Sequence, residues 1–309
     1  MKQLHIFSPA TVANVSCGFD AMGFALDTLG DEMVVTQNNS KKVTISKIEG
    51  AKLPSEITKN AAGIVALKML EANGFPFGVD LQIIKKYKPG SGLGSSAASS
   101  AGAAFAMNEL LDKKYSKLEL VQFAMLGEEA ACGSQIADNV SAALYGGFVL
   151  IRSYHPLEVV SLPTPSELFV VVIHPQVEIK TEDARNILPN EIPMKNAIAQ
   201  WANVGGLVSG LYTHNYELIG RSLVDLVAEP ARKLLIPHFD SLKQAAIENG
   251  ALGAGISGSG PSVFALCKGK EKSEGVALAF REAYTKTGID FKIYISSLGS
   301  SGVKIIKRS

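Results

Sequence analysis

Three glycines at alternate positions, Gly90, Gly92 and Gly94, stand just ahead of two serines in the run Pro89-Gly90-Ser91-Gly92-Leu93-Gly94-Ser95-Ser96-Ala97-Ala98-Ser99-Ser100. Glycine reaches φ > 0 without steric cost, and the small residues from Ala97 to Ala106 predict a helix directly after the loop. Upstream, Val79–Ile84 reads as a strand. A strand, a glycine loop and a helix start make an anion cradle, because loop N–H groups and the helix dipole both favour phosphate. The loop is not of the lysine-bearing P-loop type, since Ser95 rather than Lys follows the last glycine. It is not a dinucleotide fingerprint either: the glycines run G-x-G-x-G, and no βαβ alternation surrounds them. A tight turn before a closely packed helix is the other reading of the same residues.

Polar side chains stand in apolar surroundings at three more places. Within Pro9–Leu26, Asp20 lies between Phe19 and Met22 and shares the stretch with Asn14. A carboxylate there is expensive to bury without a partner. It is either a turn or capping residue, or a group meant for a cation or a ligand's ammonium. Glu128 and Glu129 fall in the last turns of a helix predicted from Lys117 or Leu118 to about Cys132. Acids at that end oppose the macrodipole and invite a compensating cation, a metal among them. Asp138 and Asn139 sit inside the small-residue run 133–148, as a helix cap or as site residues. A second glycine-rich segment, Gly253-Ala254-Gly255-Ile256-Ser257-Gly258-Ser259-Gly260-Pro261-Ser262, precedes a strand over 263–267.

Composition narrows the classes. A chain of 309 residues has material for roughly two domains and a sizeable core. With 47% hydrophobic and 19% charged residues it reads as globular. Thirty basic residues nearly balance twenty-nine acidic ones, which argues against nucleic acid as the main partner. Cys17, Cys132 and Cys267 are far apart and form no C-x-x-C, so neither a disulfide framework nor a cysteine zinc site is indicated and a reduced, cytoplasmic setting is expected. The five histidines show no ligand spacing. The N-terminus lacks the apolar core of a signal peptide, and no run of uncharged apolar residues is long enough to span a membrane. A soluble chain without a membrane partner is expected.

These groups need elements to position them. The pattern predicts a strand over residues 4–8, halted by Pro9. Strands over 33–37 and 43–48 follow, joined by Asn38-Asn39-Ser40-Lys41 as a hairpin-like turn. Residues 60–72 form an amphipathic helix with Asn60 as its cap. Another helix runs from near Ser96 to about Leu111, and a strand covers 149–151. Composition shifts at Leu162-Pro163-Thr164-Pro165-Ser166, which divides the chain into domains 1–163 and 164–309. Beyond it come a buried strand over 168–173, a helix start at Thr181-Glu182-Asp183, helices over 194–209, 216–226, 241–249 and 275–287, and a last core strand over 291–296.

Taken together and in this order, the segments resemble the GHMP kinase superfamily (galacto-, homoserine, mevalonate and phosphomevalonate kinases) over nearly the whole chain. The loop at 89–100 is similar to that family's P-x-x-x-G-L-G-S-S-A-A phosphate motif, and 253–262 to its C-terminal glycine motif. The run 9–20 resembles the P-A-T-x-A-N-x-G-x-G-F-D form of the homoserine-phosphorylating branch. So do Lys180-Thr181-Glu182-Asp183-Ala184-Arg185 with Leu188-Pro189, and Glu229-Pro230-Ala231-Arg232 with Leu235-Ile236-Pro237. The resemblance implies an α+β fold in two parts: a mixed-sheet nucleotide domain and a ferredoxin-like C-terminal domain, with substrate between them. It implies transfer of a phosphoryl group from ATP to the side-chain hydroxyl of L-homoserine, a step of threonine biosynthesis. Pro89, Gly90, Ser91, Gly92, Leu93, Gly94, Ser95, Ser96, Ala97 and Ser99 would surround the triphosphate, and Asn60 would border the adenine. Ser96 and Glu128 would hold Mg²⁺, with Ser95 as the alternative to Ser96. Asp20 would pair with the substrate ammonium, and Arg185 and Arg232 with its carboxylate. Asn14, Thr181, Ser259 and Gly260 would complete the substrate site, and Asn139 would be catalytic, positioning the substrate near its hydroxyl. Asp138 would be a helper in catalysis that leans on positioning rather than on a strong general base. A homodimer is the expected assembly. The chain departs from the pattern at Ser16 and Cys17, and at Ile136, where many members of the branch have His; that removes one hydrogen bond to substrate or phosphate.

Overall fold

The computed structural model describes residues 2–179, 181–299 and 301–309, the side chain of Thr181 excepted. The N-terminal half is built from β1 (Gln3–Ala13), β2 (Met22–Asn38), β3 (Val43–Glu49), α1 (Ala61–Glu71), β4 (Gly78–Ile84), α2 (Ser95–Leu110), α3 (Lys117–Cys132), α4 (Asp138–Tyr145), β5 (Phe148–Tyr154) and β6 (Leu157–Leu162). The rest comprises β7 (Leu168–Pro175), α5 (Thr181–Asn186), α6 (Met194–Thr213), α7 (Tyr216–Ser222), α8 (Glu229–Arg232), α9 (Phe239–Glu248), β8 (Gly253–Ile256), β9 (Val263–Lys268), α10 (Lys270–Thr285), β10 (Phe291–Ser297) and β11 (Lys304–Arg308).

The first sheet runs β11-β1-β2-β4-β3, with β5 pairing on β2 and β6 on β5. Only β3 and β4 are parallel in it, so it is mixed as expected. Alternate residues of its strands, among them Ile6, Val35, Leu81 and Ile83, join Met69, Leu70 and Met107 in a core under α1, α2 and α3. The small residues of α2 let it lie close on the sheet: a Cβ at Gly102 would stand 3.2 Å from the Ile6 side chain. The second sheet, β10-β7-β9-β8, is antiparallel throughout. On one side Val171, Ile173, Ala265 and Cys267 pack with residues of α9 and α10 such as Leu242 and Phe280. On the other side Val170, Val172, Phe264 and Leu266 share a core with Val12, Phe24 and Phe148 of the first sheet. The rings of Phe24 and Phe148 lie 5.0 Å apart, and those of Phe24 and Phe264 5.9 Å apart. This shared apolar layer joins the two halves and fixes the cleft between them.

Three expectations are corrected. Pro9 does not stop β1. The strand continues to Ala13, and its register with β2 shifts between Pro9 and Thr11, which absorbs the amide hydrogen that proline lacks. The segments 33–37 and 43–48 are not a hairpin: β4 lies between them, antiparallel to β2 and parallel to β3. The helix placed at 216–226 stops at Ser222, because Asp225 turns its carboxylate onto the amides of Val227, Ala228 and Glu229 and starts α8. The break near residue 163 coincides with the end of β6. The chain's last strand, β11, then returns to pair with β1 in the first sheet, a contact between distant segments that no local pattern announces. The helix α6 leaves Met194, Ile198, Trp201 and Tyr212 exposed along one face, Trp201 at 59%.

Candidate active site

A cleft of about 790 Å³ opens between the halves, lined by the loop after β4, the starts of α1 and α2, the end of α3, and residues of α5, α8 and the second glycine segment. At its floor Gly90, Gly92 and Gly94 have φ of +74°, +78° and +63°, which side chains other than glycine's rarely adopt. A Cβ on Gly92 would stand 2.5 Å from the Ser257 carbonyl oxygen, and one on Gly94 would run into Thr11 and Asn139. Gly94 precedes α2 without any side-chain cap. The first amides of that helix therefore stay free for an anion, with the macrodipole behind them. Pro89, Gly90, Gly92, Gly94, Ser95, Ser96 and Ser99 line the cleft. Ser91, Leu93 and Ala97 are buried outside that lining, Leu93 and Ala97 within the two cores, so only their backbone could reach a ligand.

Asn60 also borders the cleft, and most of its amide is used by the fold. Its Oδ1 accepts the amides of Ala62 and Gly63, and its Nδ2 donates to the Pro54 carbonyl at 2.8 Å. It caps α1 as its sequence position predicts and straps the 54–60 segment to that cap.

Ser96 and Glu128 face each other, with Ser96 Oγ donating to Glu128 Oε2 at 3.2 Å. Glu128 is 5% exposed, and its Oε1 is buried without a partner. Burial pushes the carboxyl up to about 7, against the pull of the Ser96 hydroxyl. An orphaned carboxylate oxygen beside a hydroxyl, at the mouth of an anion cradle, suits a hard divalent cation that draws its other ligands from phosphate and water. Among the described residues no group of three or more His, Cys, Asp or Glu could hold a metal unaided.

At the other end Arg185 Nη1 donates to Asp20 Oδ2 at 3.1 Å. The two residues predicted to take a ligand's carboxylate and ammonium therefore hold one another in this state. Asn14 Oδ1 accepts the Asp20 amide at 3.0 Å, and Asn14 Nδ2 donates to the Gly258 carbonyl at 2.9 Å. Arg232 is buried against the ring of Phe19, 4.9 Å from its centroid. Its Nε donates to the Ala184 carbonyl at 2.8 Å and its Nη1 to that of Gly258 at 3.0 Å. Asn139 Oδ1 accepts from Thr11 Oγ1 at 2.6 Å beside the glycine loop. Asp138 is 2% exposed, and burial, with Asp20 adding to it, pushes its carboxyl up to about 7. Ser259 and Ile136 line the cleft, whereas Gly260 is buried outside the lining. Thr181 opens α5, and its side chain lies outside the described residues.

Sequence reasoning missed three residues that hold the site's groups in place without being read as part of it. Thr11 looks like an ordinary strand threonine. Ser257 lies in a segment recognised only for its glycines. Lys85 stands next to Lys86 and near Lys88, as though part of a solvated basic cluster, yet it is buried, lines the cleft floor and pairs with the buried Asp31.

Comparison with known proteins adds an independent line. The GHMP kinases N terminal domain model matches residues 57–147, and the GHMP kinases C terminal model matches residues 207–286. A homoserine kinase of Chlorobium phaeobacteroides is 47% identical over 320 aligned positions, covering 99% of this chain and 100% of its own. One of Methanococcus maripaludis is 42% identical, covering 93% of this chain and 97% of its own. The crystal structure of homoserine kinase from Cytophaga hutchinsonii superposes with a TM-score of 0.95 at 49% identity, over 98% of this chain and 97% of that one.

Proposed function

The chain belongs to the GHMP kinases and, within them, to the homoserine kinases, and we propose from its cleft how it transfers the ATP γ-phosphoryl group to the side-chain hydroxyl of L-homoserine. The observation that carries the reading is the two-ended cleft. Free helix amides and a glycine loop lie at one end, two guanidinium groups and a carboxylate at the other, and Asp138-Asn139 connects them. The loop and the first turn of α2 hold the triphosphate. Ser96 and Glu128 hold Mg²⁺, which neutralises charge on the phosphate oxygens when bound. For the amino acid, Asp20 exchanges its bond to Arg185 for the ammonium and frees Arg185 for the carboxylate. Arg232 still has three of the five guanidinium N–H groups left for that carboxylate after those given to Ala184 and Gly258. Asn139, oriented by Thr11, positions the hydroxyl for in-line attack, and Asp138 accepts its proton late, if ionised.

The experiment is ADP release with ATP and Mg²⁺ across L-homoserine, mevalonate, galactose and shikimate, at pH 6 and pH 8. Turnover is expected with homoserine only. Because Asp138 titrates at about 7, its helper role makes kcat rise from pH 6 to pH 8. Asp138→Asn should keep turnover within about a hundredfold; a thousandfold loss with binding intact would make it a true general base. Turnover on a sugar or mevalonate in place of homoserine would discard the substrate reading.

The exposed stripe Met194, Ile198 and Trp201 on α6 supports a homodimer across that helix. Sedimentation should give twice the chain mass, and a Trp201→Lys chain should run as a monomer. A monomeric parent protein would remove the proposal.

A further inference from the structure

The two glycine-rich segments, separated by more than 150 residues, are packed backbone to backbone, and the joint between them reaches both ends of the cleft. Ser257 is 0% exposed, and its Oγ donates to the Gly92 carbonyl at 2.7 Å. The Ser262 amide meets the Ser91 carbonyl at 3.3 Å, and the Gly258 amide meets that of Ala13 at 3.3 Å. The fit is tight. A Cβ on Gly92 would strike the Ser257 and Gly260 carbonyl oxygens, and one on Gly258 would stand 3.1 Å from that of Gly92. One residue further on, the Gly258 carbonyl accepts from Asn14 Nδ2 and Arg232 Nη1 together. The turn 257–260 is closed by the Gly260 amide on the Ser257 carbonyl at 2.9 Å, which ties its two ends together. A single buried turn thus holds the phosphate loop through Ser257 and the amino-acid residues through Gly258.

We propose that this turn couples the two substrates, and that Ser257 is the positioning residue through which L-homoserine on Arg232 and Asn14 sets the phosphate loop for ATP. The proposal rests on the homoserine-kinase reading of the cleft. A ligand that fixes Arg232 also fixes Gly258, and the hydroxyl of Ser257 passes that order to Gly92. The second ligand then has less chain left to order, which gives positive cooperativity without a large movement. The effect is reciprocal: homoserine tightens ATP by the same factor as ATP tightens homoserine. Ser257 touches neither ligand, because its only side-chain bond goes to the loop backbone.

The test is the Kd of a non-hydrolysable ATP analogue with Mg²⁺, measured with and without saturating L-homoserine. In the parent protein homoserine should tighten the analogue about fivefold or more. In Ser257→Ala that factor should fall towards one, while each ligand alone binds within roughly threefold of the parent value, a split that general damage to the fold would not produce. A variant with the parent's coupling factor overturns the proposal. So does a parent protein that turns over homoserine yet binds the two ligands independently. Amide hydrogen exchange on the unmodified protein answers even where the variant fails to fold: homoserine alone should slow exchange across 90–94, and unchanged exchange there overturns the proposal as well. Absence of any turnover on homoserine would instead defeat the reading of the cleft.

Discussion

Glu128→Gln lowers turnover by about a hundredfold or more, while the ligand-free protein becomes harder to unfold at pH 8. Both effects come from one buried side chain. Its Oε1 has no partner in the ligand-free protein and Ser96 serves its other oxygen, so the fold carries an ionisable group it does not use. Glutamine keeps the shape and can still accept from Ser96, but it cannot supply the negative charge that draws a divalent cation to the triphosphate. The sign of the stability effect follows from linkage. The carboxyl titrates at about 7 when folded, against an ordinary value of 4.5. A raised folded value means that the stability contribution is complete below 4.5 and is lost as pH rises through about 7. At pH 8 the parent therefore carries a cost on the order of 3 kcal/mol that glutamine removes, and at pH 4.5 the two should melt nearly together. Thermal melts at both pH values and kcat against Mg²⁺ concentration check the two halves separately. Parent-like turnover at the parent's Mg²⁺ requirement would take Glu128 out of the site. A lower melting temperature at pH 8 would show that its charge is compensated.

Groups whose role is set by neighbours along the chain could be read directly from the sequence. The glycines before α2 announce a left-handed loop, and Asn60 announces a cap; both are found, and the cap takes up the Asn60 Oδ1 while one Nδ2 hydrogen stays free beside the cleft. Groups whose role is set by a distant partner could not be read that way. Nothing near Ser96 points to Glu128, and nothing near Asp20 points to Arg185, 165 residues away. Asp20 and Glu128 stand out locally as carboxylates awaiting a cation, Ser96 and Arg185 only by resemblance to a family, and their pairing emerges only once both halves close on the shared core of Phe24, Phe148 and Phe264. The placement of β4 between β2 and β3 and the return of β11 fail to show for the same reason: strand neighbours are chosen by tertiary packing, and the alternation along each strand is the same in either order.

Lys85 is the extreme case, and its replacement carries the second large effect: Lys85→Met should destabilise the protein by about 3–5 kcal/mol, lowering its melting temperature by roughly 10 °C. Its ammonium pairs with Asp31 and donates to the Ser95 carbonyl at 2.8 Å and to Ser99 Oγ at 3.2 Å. The lysine is thus a strut from β2 to the first turn of the phosphate helix. Burial pushes Lys85 down and Asp31 up, and their mutual attraction works against both shifts. Methionine fills the space but leaves Asp31 with the Lys86 amide at 2.8 Å and no cation. Asp31 then titrates higher still, so the variant should approach the parent as pH falls and fall further behind as pH rises. Adding Asp31→Asn removes the stranded charge, and the double variant should recover much of the lost stability, which marks a coupled pair rather than two separate contributions. Recovery of stability should not bring recovery of ATP affinity, because the bonds to Ser95 and Ser99 are still gone. Additive losses in the double variant would show that the pair holds little, and an unchanged ATP affinity would show that α2 keeps its position without the strut.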